Sequence, residues 1–191
     1  MLITINTAIN PVDYTVYKKG EVFSFVLDKQ SSGEDLIIHI NDFLKTKKWS
    51  LSNLTHLGVV PGPGSFTGLR SGLSFAQGIN LCIKNLILFE KNTLSLMMML
   101  NENIEYSSVS DKKGGAYIMK KGSSNIFTVE NYNEWIQSVD KSTVANDIGE
   151  YLNETPLSRI LYNEFSNNKV NFVNNIKPFY VHNPKFKERK V

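Results

Sequence analysis

The segment Pro61-Gly62-Pro63-Gly64-Ser65-Phe66-Thr67-Gly68-Leu69-Arg70 constrains the fold more than any other part of the chain. It follows a short apolar run, Leu57 to Val60, and precedes a stretch of helical spacing that extends to about Lys84. A buried strand that runs into a glycine-rich turn and then a helix is a building unit of α/β sheets, and it aims backbone amides at one point. The spacing matches no standard phosphate loop. A dinucleotide fingerprint needs its third glycine where Thr67 stands, and a Walker loop needs Lys where Leu69 stands. A nucleophile elbow on Ser65 needs glycines in place of Pro63 and Thr67. The prolines also remove amide donors. Two readings stand: a structural turn capped by Ser65 or Thr67, which the spacing favours, and a phosphate-binding loop.

Ahead of this unit, Leu2 to Thr7, Tyr14 to Lys18 and Val22 to Leu27 alternate β-branched or aromatic residues with polar ones and predict an antiparallel meander. Ser32-Gly33-Glu34-Asp35 opens a helix to about Lys48, with Leu36, Ile37, Ile40, Phe43 and Leu44 at helical spacing and acids and lysines at the ends the macrodipole prefers. Leu86 to Phe89 reads as a strand, and Thr93 as the cap of a short helix to Leu100. Beyond about Asn101 the elements shorten. Strands are predicted at 106–109, 116–120 and 126–129 and a helix at 132–139, while Thr155 to Ile176 yields no assignment. The expected organisation is an α/β lobe over 1–103 with a mixed sheet, and a smaller lobe over 104–191.

The 191 residues suit one domain or two small ones, at about 150 residues each. Basic residues exceed acidic ones by 21 − 18, or +3. The terminal stretch from Pro184, with Lys185, Lys187, Arg189 and Lys190 against Glu188, carries that whole excess. So mild a balance does not indicate wholesale nucleic-acid or membrane binding. The tail, with Phe179, Tyr180 and Phe186 nearby, reads as a solvated charge run or as an RNA contact. Cys82, the one cysteine, cannot close an intrachain disulfide and reads as an inert core thiol, which points to the cytosol. No apolar run approaches the ~20 residues of a membrane span, and the chain opens as a strand rather than a targeting segment.

His39, His56 and His182 stand apart from any ligand spacing and read as surface or lightly packed imidazoles. Asp13, Asp28, Asp111 and Asp147 read as turn residues or caps. An actin-like ATPase core would want an Asp and a glycine turn after the first strand, where Asn6-Thr7-Ala8 stands. On the second helix, Gly68, Gly72 and Ala76 recur every four residues beside Leu69, Leu73, Phe75 and Ile79. Such a smooth stripe packs on the chain's own sheet or receives a helix of another subunit, and the second is the expectation adopted.

Gly62-Pro63-Gly64-Ser65-Phe66-Thr67-Gly68-Leu69-Arg70 resembles the signature of the TsaB (YeaZ) family, bacterial tRNA threonylcarbamoyladenosine biosynthesis proteins. Weaker similarities follow in order at Leu2 to Ala8, Gly78 to Leu81, Asn92 to Met97, Asp111 to Tyr117 and Lys177 to Val181. The resemblance implies an α/β fold of two lobes, actin-like or Hsp70-like (ASKHA), with a mixed sheet and a reduced second lobe. It also implies a non-catalytic scaffold that forms a heterodimer with the TsaD transferase and helps recruit the TsaE ATPase. The same surface can make homodimers, tRNA contact through the basic tail is possible, and the location implied is cytoplasmic. Family contact is made by the first two helices, which places Leu36, Ile40 and Phe43 of the first and Leu69, Gly72, Leu73, Phe75 and Ala76 of the second at the interface. No catalytic, cofactor or metal residue is implied, and the family's older glycoprotease label finds no nucleophile or ligand set here. The alternative is a nucleotide-binding enzyme of the same fold using the Gly62–Gly68 loop. The chain departs from the family in having Asn6 where Asp is usual, and in its shorter second lobe.

Overall fold

The computed structural model describes residues 1–28, 30–147 and 155–179. The predicted meander forms strands β1 (Leu2–Asn6), β2 (Asp13–Lys18) and β3 (Glu21–Val26), paired antiparallel. Helix α1 (Gly33–Thr46) follows, then β4 (His56–Val59), α2 (Phe66–Cys82) and β5 (Ile87–Glu90), with β4 parallel to both β1 and β5. The short α3 (Thr93–Met97) leads to a second sheet of β6 (Tyr106–Ser110), β7 (Ala116–Lys120), β8 (Ile126–Val129) and β9 (Val144–Asn146), with α4 (Tyr132–Gln137) between the last two. Asn92, rather than Thr93, caps α3 by accepting from Ser95 N–H. The mixed α/β fold is the one expected, and both of its sheets are mixed.

The stretch that resisted assignment holds two elements. Helix α5 (Leu157–Ser166) packs on β1 and β2, and β10 (Asn171–Val173) pairs antiparallel with β5, completing a sheet ordered β10-β5-β4-β1-β2-β3. Residues 104–191, expected to form the smaller lobe, therefore divide, and 157–173 return to the first sheet.

Strand alternation sorts the helices onto two faces. Tyr14 meets His39 and Phe43 of α1, while Thr15 and Tyr17 meet Ser158 and Tyr162 of α5, so β2 is covered on both sides. Every residue of β1 is buried in consequence. On α1, Leu36, Ile40 and Leu44 face inward, each burial stabilising by about 1.5–3 kcal/mol. The predicted capping residues act as a pair: Ser32 accepts from Asp35 N–H, and the Asp35 carboxylate accepts from Ser32 N–H, which holds it below its ordinary value.

Candidate functional site

The glycine loop lies at the carboxyl end of β4 beside the β1–β2 connection, and the two are stitched together. Ser65 N–H donates to Ala8 O at 2.6 Å, Val60 N–H to Ile5 O, and Phe179 N–H to Pro61 O. A Cβ at Gly64 would overlap the Ala8 carbonyl, and one at Gly68 the Thr7 carbonyl. Glycine is therefore required at both positions by a close backbone approach, whatever else the loop does. Ser65 caps α2 by accepting from Gly68 N–H. Beside the loop a hollow of about 350 Å³ is bordered by the first turns of α1 and α2. The amides of Asp35, Leu36, Gly68 and Leu69 there are engaged within the chain, and Glu34 lines the same space.

Asn6 anchors the end of β1. Its Oδ1 accepts from Ala8 N–H at 3.0 Å, and its Nδ2 donates to Asp13 Oδ2 at 2.7 Å, directly across the strand pair. Asp at position 6 would set two carboxylates together, whereas the amide supplies a donor. Asp13, expected as a turn residue or a cap, is a cap and is buried: it is 2% exposed and accepts from Ser158 N–H at 2.8 Å, capping α5 from β2 where Pro156 offers no side-chain cap. Burial pushes its pKa up to about 6, against hydrogen bonds from Ser158 and Asn6 that favour the charged form. Asp147 is a turn residue as expected, half-buried just after β9 and accepting from Ser110 N–H, with burial raising its pKa. Asp111 is the expected turn residue, accepting from Lys113 and Gly115 N–H. Asp28, also read as a turn residue or cap, accepts from Ser31 N–H through its backbone carbonyl.

The small-residue stripe requires correction. Gly72 lies against Thr7, where a Cβ would overlap Oγ1, and Ala76 is fully buried, so the stripe packs on the chain's own sheet. Leu36, Ile40, Leu69 and Leu73 are buried in the same core, and Phe43 and Phe75 are half-buried. The sheet needs these apolar residues and close approaches in the isolated chain, which leaves a different set facing outward. Between α1 and α2 runs an open groove of about 590 Å³ lined by Ile37, Phe66 and Phe75, with Glu34 and Arg70 at its sides. Phe66 is 57% exposed, and the Arg70 guanidinium lies 5.4 Å from its ring centroid. The helices cross closely at Gly33 and Ser71. Cys82 is exposed near the end of α2 rather than in the core. His39 and His56 are lightly packed, bonded through Nδ1 to Tyr14 and Thr55. His182, Tyr180 and the basic tail lie outside the described residues.

Among the described residues no group of three His, Cys, Asp or Glu side chains is placed to hold a metal ion, and no helix is long and apolar enough to cross a membrane. The model of the family described as TsaD: tRNA N6-adenosine threonylcarbamoyltransferase matches residues 28–124, half of the chain. The tRNA threonylcarbamoyladenosine biosynthesis protein TsaB of Buchnera aphidicola subsp. Schizaphis graminum (strain Sg) is 30% identical over 98 residues, which is 51% of this chain and 46% of that protein. The protein of the same name from Escherichia coli (strain K12) is 32% identical over 81 residues, 42% of this chain and 35% of that one. The chain belongs to this family, and within it is similar to the TsaB (YeaZ) proteins. The matches span less than half the length of either curated TsaB relative. Among solved structures, YeaZ from Pseudomonas aeruginosa shares the fold at a TM-score of 0.66 and 14% identity, covering 94% of this chain and 99% of that one. A second, a Pseudomonas aeruginosa protein described as similar to peptidase YEAZ, superposes at 0.57 with 15% identity, over 67% and 65% of the two chains.

Proposed function

We propose that the chain is a non-catalytic subunit for threonylcarbamoyladenosine formation in tRNA, pairing with a TsaD-type transferase through the outer face of α1 and α2. The observation that carries this reading is the open groove between those helices, with Phe66 standing out beside Arg70 and Glu34. An exposed aromatic with an arginine against its ring, beside an open groove of mixed polar and apolar lining, is the composition of an interface anchor. Both helices fall within the residues matched by the transferase family model, and the two TsaB relatives are named for the same modification. The glycine loop is spent on holding β1, β4 and α2 together, which supports a scaffold over a nucleotide-binding enzyme. On this reading the pair recruits a TsaE-type ATPase, and the same helix face supports homodimers when the transferase is absent.

The test is threonylcarbamoyladenosine formation in tRNA by the transferase of the same organism, with the chain added or withheld. Formation should depend on the chain and be lost with Phe66→Glu. A transferase equally active without the chain would contradict the proposal.

A further inference from the structure

A second groove lies at the opposite end of the sheet from the glycine loop. Leu2 of β1 and His56 of β4 are in register at the amino ends of these parallel strands. Above them lies a groove of about 310 Å³, within the range of small-molecule sites, lined by Tyr17, Lys18, Lys19, His56, Tyr162 and Phe165 among others. No carboxylate lines it. The Tyr17 and Tyr162 rings lie 5.6 Å apart at 33°, and His56 meets Phe165 edge-on at 5.1 Å. Arg159 stands 5.5 Å from the Tyr162 ring.

The cations continue around the β2–β3 turn. Lys18 Nζ lies 4.9 Å from the Trp49 ring, and Lys47 Nζ lies 4.1 Å from the Phe23 ring and 5.9 Å from Trp49. Among the described residues, Lys18, Lys19, Lys47 and Arg159 form no salt bridge, and Lys18 Nζ donates one hydrogen bond, to Asn53 Oδ1 at 3.2 Å. Glu21, opposite Lys18 in the hairpin register, is exposed and does not line the groove. A cation resting on a ring keeps ammonium donors free for an anion, and rings interleaved with such cations suit a chain of stacked bases joined by phosphates. An acidic peptide would satisfy the lysines but leave the tyrosines with nothing flat to stack on.

We propose that this groove binds single-stranded RNA, with bases stacking on Tyr162 and Tyr17, phosphates on Lys18 and Lys19, and the strand continuing past Lys47 and Trp49. The proposal rests on the scaffold reading only for why RNA would be at hand, and it places RNA where the α1–α2 face stays free for a protein partner.

The test is fluorescence anisotropy of the full chain with a labelled oligoadenylate of about 12 nucleotides, in the size range of single-strand sites. Wild type should bind with a salt dependence that falls by about 0.7 in log–log slope for each phosphate contact removed, so Lys18→Gln with Lys19→Gln lowers it by about 1.4. Tyr162→Leu should weaken binding about tenfold while Tyr162→Phe retains it, as stacking requires. Lys19→Glu, on an exposed turn, should weaken binding without touching the core. Absence of binding, an unchanged affinity in Tyr162→Leu, equal affinity for duplex RNA, or displacement by polyglutamate at equal charge would each overturn the proposal. Sedimentation with the TsaD-type transferase separates the two claims. Association without RNA binding removes this inference alone, and RNA binding without association removes the scaffold reading alone.

Discussion

Around the glycine loop the chain is closed on itself: Ser65 donates to Ala8, Gly68 abuts Thr7, and Asn6 bonds both Ala8 and Asp13. On the neighbouring α1–α2 face the side chains point the other way, with Phe66 and Arg70 in solvent over an open groove. The two regions share residues of one motif. Gly62, Gly64, Gly68 and Leu69 face inward, while Phe66, Thr67 and Arg70 line the groove. The contrast teaches that the most distinctive stretch of the sequence does two jobs. Its glycines allow backbones to touch, and the residues between them build a surface.

The sharpest way to break this contrast is to add one methyl group on each side of it. Gly68→Ala sets a Cβ into the Thr7 carbonyl, which no side-chain rotation relieves, and should cost about 3 kcal/mol or more in urea denaturation. Gly78→Ala, on the same helix with open space around it, should instead stabilise by about 1 kcal/mol. Equal effects would mean that α2 does not sit on Thr7 as described.

Next in size is the buried carboxyl behind the loop. Asp13 is raised to about 6 in the folded chain, so between pH ~4 and ~6 the folded state holds a proton that the unfolded state has released. Stability from this group is therefore greatest below pH ~4, falls as pH rises to about 6, and is flat above, a total of about 3 kcal/mol. Urea denaturation of wild type and Asp13→Asn across that range should show their stability difference shifting by this amount in favour of the variant as pH rises. A constant difference would refute the assignment.

On the open side, Phe66→Glu should leave the melting temperature within a degree or two and weaken transferase binding about tenfold or more. Lys45→Ala, which removes the exposed pair with Asp42 on α1, should change stability by no more than about 0.5 kcal/mol.

How much of this was legible follows from where each signal lies along the chain. Helix α1 carries its own cap and stripe, Ser32, Asp35, Leu36 and Ile40, so local reading suffices. Helix α5 carries a stripe too, in Leu157, Ile160 and Leu161, and Thr155-Pro156 is a usable start signal. Its cap, however, comes from Asp13 on β2, and a long-range carboxylate leaves no mark beside the helix. For the same reason the sequence shows Asp13 only as a turn residue or a cap and not as a buried one, since its burial depends on α5. Strand β10 is three residues long and takes its identity from Phe89 across the ladder. The small-residue stripe was visible, but spacing shows only that something approaches closely. That it is Thr7 of the same chain depends on the β1–β2 connection folding back beneath α2.

The central claim is that the outer face of α1 and α2 is the docking surface for a TsaD-type transferase. Sedimentation velocity of the chain mixed with that transferase, as wild type and as Phe66→Glu, tests it most directly. The account predicts a one-to-one complex for wild type and separate boundaries for the variant. A complex that survives Phe66→Glu undiminished, or none with a folded wild-type chain, would contradict it.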